Sequence, residues 1–71
     1  MRYASSSSRE AVLAQVGQHF VMAQEVAERV GVNPQTAIGH LWAAEAEGLV
    51  EVVEMSTVNG ALAYFWRRNG R

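Results

Sequence analysis

Residues 22–50 read M-A-Q-E-V-A-E-R-V-G-V-N-P-Q-T-A-I-G-H-L-W-A-A-E-A-E-G-L-V, and the order of stripe, stop, cap and stripe in that stretch decides the architecture. Val26, Ala27 and Val30 are spaced i, i+1, i+4 and form the apolar stripe of a short helix. Gly31 stops that helix, because glycine takes the left-handed conformation that closes a last turn, and Val32 then drops back into the core. Asn33 is a good N-cap and Pro34 suits the first helical position, where a missing N–H costs nothing, so a second helix is predicted from here to about Glu47. Ala37, Leu41, Ala44 and Gly48 share one of its faces, and the small residues among them let it cross close over the first. Gly48 ends the helix, and Leu49 and Val50 open a strand.

Upstream of this stretch, Ser7 followed three residues later by Glu10 is a capping box. Val12, Leu13 and Val16 continue it as the stripe of a helix ending near Gly17 or His19. Residues 1–6 read as a Ser-rich disordered lead. Phe20, Val21 and Met22 have the texture to lend an extended residue or two to a sheet edge. Downstream, residues 49–55 and 61–67 are rich in β-branched or aromatic side chains and enclose Ser56-Thr57-Val58-Asn59-Gly60, a hairpin with a turn signal at Asn59-Gly60. Asn and Gly tolerate positive φ at successive positions, although a five-residue connection leaves other turn types open. On the second strand Leu62, Tyr64 and Trp66 alternate with Ala61, Ala63 and Phe65, so both faces are apolar. One face packs on the helices; the other is left for a partner or for solvent, unless Tyr64 or Trp66 only closes the edge of the core.

The words A-Q-E-V-A-E-R-V-G-V-N-P-Q-T-A, H-L and E-G-L-V resemble the winged helix-turn-helix superfamily of DNA-binding regulators, and the likeness extends over residues 7–68. It implies an α+β fold of three helices followed by a two-stranded β-hairpin wing. It also implies one domain over 7–68 between the lead and a short tail at 69–71. The wing's aromatic strand, Gly60-Ala61-Leu62-Ala63-Tyr64-Phe65-Trp66, is similar to that of the small one-domain regulators of fimbrial operons.

Composition narrows the function. A chain of 71 residues makes one domain and buries only about 60% of its unfolded surface, so stability is marginal and dimerisation would help. With 49% hydrophobic and 18% charged residues it is a folding sequence rather than a disordered one. The absence of cysteine removes disulfides and thiolate metal sites, and no run suits a signal peptide or a membrane span, so a cytoplasmic protein without membrane partners is expected. His19 and His40 lack partners for a metal site, and no base stands near the serines at 5–8. Neither an enzyme, a cofactor, a metal nor a small-molecule substrate is expected.

On the resemblance, helix 34–47 is the reading helix and double-stranded DNA the expected partner. With Ala37, Leu41 and Ala44 inward, its outward face is Gln35, Gly39, Trp42 and Ala46, flanked by Ile38 on one side and by Thr36 and Ala43 on the other. Gln35 suits an adenine edge, Thr36 a phosphate or base edge, and Ile38 a thymine methyl, while the helix N-terminus at Pro34 favours a phosphate. Gly39 costs about 1 kcal/mol in mid-helix relative to Ala, which calls for a close neighbour such as DNA or a partner helix, or marks a tolerated accident. Trp42 either joins that contact or folds back as core. Asn59 in the wing, with Arg67 and Arg68 beside the terminal Arg71, supplies phosphate contacts or a solvated tail. Arg9 and Arg29 are expected to be structural, Arg29 by pairing with Glu25. The net charge of −1 and the absence of Arg and Lys from the reading helix weigh against DNA. They keep open a second class of function, a protein-interaction module or homodimer that buries Ile38, Trp42 and the outer wing face.

Overall fold

A computed structural model describes residues 4–70. The element order is α1 (Ala4–Ala14), β1 (Val21–Met22), α2 (Ala23–Val30), α3 (Pro34–Ala46), β2 (Val50–Ser56) and β3 (Leu62–Arg68). The strands form one antiparallel sheet in the order β1-β3-β2. This is the winged helix-turn-helix arrangement, with the two-residue strand β1 added to the expected two-stranded wing.

The turns form where local chemistry requires them. Gly31 adopts φ 82° and closes α2, its N–H donating to the Ala27 carbonyl at 2.8 Å. The Asn33 side chain accepts from the Gln35 N–H at 2.8 Å, and Pro34 opens α3. At the other end Gly48 takes φ 79°, and the Leu49 N–H reaches back to the Ala44 carbonyl at 3.0 Å, a Schellman closure. In the hairpin, Gly60 N–H donates to the Thr57 carbonyl and Thr57 N–H to the Ala61 carbonyl, with φ 84° at Gly60. Asn59 does not share the positive φ expected of it, because the three-residue loop uses a turn followed by one left-handed glycine.

Other boundaries move for identifiable reasons. Helix α1 begins at Ala4, so Ser7 lies inside it rather than capping it, and residues 4–6 are helical rather than part of a disordered lead. Residues 1–3 lie outside the described residues. The helix stops at Ala14, where the Gln15 and Val16 N–H groups tighten onto the Val12 and Leu13 carbonyls. The wing strands each start one residue later than expected. Asn69, assigned to a tail, is tied down: its N–H donates to the Leu49 carbonyl and its side-chain amide to that of Gly48. Glu25 accepts from the Met22 N–H at the start of α2, and among the described residues it makes no ion pair with Arg29.

The core joins residues of all three helices and of both wing strands, Val12, Ala23, Val26, Ala27, Ala37, Leu41, Ala44, Val50 and Trp66, with Val16 from the turn after α1. The three α3 residues expected to face inward are fully buried. Trp66 is 1% exposed and is the largest side chain at the centre, so the wing strand closes the core rather than its edge.

Candidate functional site

Helix α3 offers solvent two different surfaces. Its first turns, Pro34, Gln35, Thr36 and Gly39, are exposed. An added Cβ at Gly39 would meet nothing within 4 Å, so no neighbour within the described chain explains the glycine. The second surface faces the wing. Ile38 is half-buried against the core, and Trp42 lays its ring edge-to-face on Trp66 (centroids 4.8 Å apart) and on Tyr64 (5.5 Å). Trp42 therefore folds back over the wing strand rather than over the helix pair, and keeps 41% of its surface exposed.

These side chains, with Met22, Ala23, Gln24 and Ala63, line an apolar groove of roughly 320 Å³ between the start of α2, α3 and β3. Trp66 lines it too, and its indole Nε1 is buried with no hydrogen-bond partner. Tyr64 and Leu62 extend the apolar surface toward the wing tip, 48% and 66% exposed. Val58 and Asn59 at the tip are exposed as well.

The arginines are mostly spoken for. Arg68 donates from Nη2 to the Leu13 carbonyl at 2.6 Å and from Nε to that of Val16 at 3.2 Å, so it caps the C-terminus of α1 from the wing. Arg67 pairs with Glu51 on the neighbouring strand and lies 4.7 Å over the Phe20 ring. Both border a shallow polar hollow with Gln18 and Gly70. Arg9 pairs with Glu47 at 2.6 Å, a link between α1 and the end of α3. Arg71 lies outside the described residues. Spacing along the chain gave no sign of these engagements, since the partners are 16 to 55 positions apart. His40 sits half-buried on α3 with Nε2 unpartnered, and the described residues hold no cluster of three potential metal ligands. No helix among them is long and apolar enough to cross a membrane.

The order of three helices and an antiparallel sheet gives the chain a winged-helix architecture. Among solved structures it is similar to a protein from Methanosarcina mazei Go1 described as a possible transcriptional regulator, with a TM-score of 0.75 and 7% identity. The alignment covers 100% of this chain and 58% of that protein, and at this identity the likeness is one of fold. No known family model matches the sequence, and no curated protein is similar to it.

Proposed function

We propose that the chain is a winged-helix DNA-binding module of a transcriptional regulator, entering the major groove of duplex DNA with the first half of α3. The observation that supports this best is the exposure of Pro34, Gln35, Thr36 and Gly39 on a helix whose opposite face, Ala37, Leu41 and Ala44, is fully buried. A helix anchored on one side and bare on the other is what a groove about 12 Å wide admits. Gln35 reads a base edge, Thr36 a phosphate or base edge, and the helix N-terminus favours a phosphate. Gly39 allows close approach, and Asn59 at the wing tip contacts the backbone. Arg68 contributes to α1 and is left out of this surface; Arg67 reaches a phosphate only by leaving Glu51.

Affinity should therefore be modest and carried by few phosphate contacts. In a fluorescence-anisotropy titration with labelled duplex, binding is expected at low salt and should weaken as ionic strength rises, with a shallow slope of about one to three phosphates. Gln35→Ala should reduce affinity by roughly tenfold, in the range of about 1–3 kcal/mol for a paired base contact. Absence of binding at the lowest salt would remove the reading.

A second reading is favoured by a specific observation, the engagement of Arg9, Arg67 and Arg68 within the chain beside an open apolar groove. On it the domain is a protein-interaction module that uses Ile38, Trp42 and the outer wing face. Both readings assign the chain to recognition rather than catalysis.

A further inference from the structure

Asparagine precedes glycine at Asn59-Gly60 and Asn69-Gly70, and the remaining asparagine, Asn33, precedes Pro34. An Asn-Gly pair has a reactivity of its own. The side-chain amide is an electrophile one ring closure away from the backbone nitrogen that follows it, and glycine offers no Cβ to crowd the approach. Proline is different, since it has no N–H to lose and so forms no nucleophile. Both Asn-Gly pairs therefore carry the chemistry, and the fold treats them differently.

Asn69 is held on two sides. Its Nδ2 donates to the Gly48 carbonyl at 3.1 Å, its backbone N–H donates to the Leu49 carbonyl at 3.0 Å, and the residue is half-buried. To react, its Cγ must swing onto the Gly70 nitrogen and abandon Gly48. Asn59 instead stands exposed at the wing tip beside a fully exposed Val58, and no hydrogen bond among the described residues engages its side chain. A Cβ added at Gly60 would meet nothing within 4 Å, so the space around the nucleophile is open. One bond restrains that nucleophile: the Gly60 N–H donates to the Thr57 carbonyl at 3.0 Å. It closes an exposed turn remote from the core, and local opening of such a turn costs far less than unfolding.

We propose that Asn59 is a site of spontaneous deamidation, which turns the wing tip from neutral to anionic without an enzyme. The Gly60 nitrogen, deprotonated by hydroxide, attacks Asn59 Cγ. A new N–Cγ bond closes a succinimide ring as the Cγ–Nδ2 bond breaks, and Nδ2 takes a proton from water and leaves as ammonia, which regenerates the hydroxide. Water then adds to either ring carbonyl and opens it, giving aspartate or isoaspartate. Aspartate suits a turn as asparagine does. Isoaspartate lengthens the backbone by a methylene and disturbs the closure between Thr57 and Ala61. Either product adds one negative charge to a chain whose formal charge is already −1. The consequence for function rests on the DNA reading above: the charge falls where Asn59 meets the phosphate backbone, so deamidation sets a one-way limit on the lifetime of the duplex-binding form.

The test ages the full chain at mildly alkaline pH and follows each asparagine by peptide mass spectrometry, where conversion adds about one mass unit. In native buffer the Asn59 peptide should convert at least about tenfold faster than the Asn69 peptide, and in concentrated urea the two rates should converge. Asn59→Gln, whose ring closure is slower, should keep its mass at this position. Asn59→Asp, which supplies the product's charge at once, should retain the circular dichroism spectrum and bind duplex about fivefold more weakly at low salt. Equal native rates at Asn59 and Asn69 would overturn the proposal. So would an Asn59 that converts in urea and stays intact in native buffer. Undiminished duplex affinity in both Asn59→Asp and the aged chain would overturn the functional consequence. A fresh chain that binds no duplex would instead remove the DNA reading, while the mass measurement still decides the site.

Discussion

At the scale of single residues, Gly39 separates the demands of folding from those of recognition. It lies in the interior of α3, where glycine is about 0.5–1 kcal/mol worse than alanine, and a methyl group there would meet open space. Gly39→Ala should accordingly stabilise the domain by about that amount in a urea melt, while weakening duplex affinity if DNA approaches the helix at this point. A destabilised variant would show that the glycine serves the fold. Gly31, Asn33, Pro34 and Gly48 belong to the opposite category. Their roles were legible in the sequence because backbone conformation is set by the residue and its immediate neighbours, and each sits where its chemistry requires. Trp42 was only half legible: the helical period gives the direction of its Cα–Cβ bond, but the side chain's turn onto Tyr64 and Trp66 depends on a strand more than 20 residues away.

At the scale of elements, the wing is tied to both ends of the helical layer, and Arg68 is the tie least visible beforehand. A guanidinium donating to the Leu13 and Val16 carbonyls stabilises the end of a helix that begins 64 positions earlier in the chain, at Ala4. Sequence reasoning left the same arginine between a phosphate contact and a solvated tail, because charge near a terminus carries no information on which carbonyls lie within reach. Arg68→Met keeps the aliphatic stem and loses the charged hydrogen bonds, so it should cost about 1–3 kcal/mol in chemical denaturation, the range for bonds to a charged group with some relief from solvent. Duplex affinity should stay within about twofold once unfolded protein is accounted for. A stable variant with collapsed duplex affinity would return Arg68 to the binding surface. The start of α1 shows the same limit: Ser7 and Glu10 fit a capping box by spacing, yet the helix begins a turn earlier.

For the whole molecule, burial and charge pull in different directions. Most inward-facing positions fit the fold, from Val12 to Trp66, because a period of 3.6 on helices and 2 on strands decides which side chains meet; Gly48, placed on the inner face of α3, instead lies exposed beyond its end. Electrostatics were much less legible. Of the four described arginines, Arg9, Arg67 and Arg68 each have a partner inside the chain, and Arg29 alone has none among the described residues. A chain of 71 residues with a formal charge of −1 thus commits most of its described cations to holding a small core together, and has few to give to a polyanion. Any duplex recognition must rest on the shape and polar groups of α3 more than on charge. The most direct measurement of that claim is amide chemical-shift mapping of the full chain with duplex DNA at low ionic strength. The account predicts shifts concentrated at Gln35, Thr36, Ile38, Gly39 and Asn59, and fading as salt is raised. A spectrum that does not move, or one that moves only at Ala63, Tyr64 and Trp42, would contradict it.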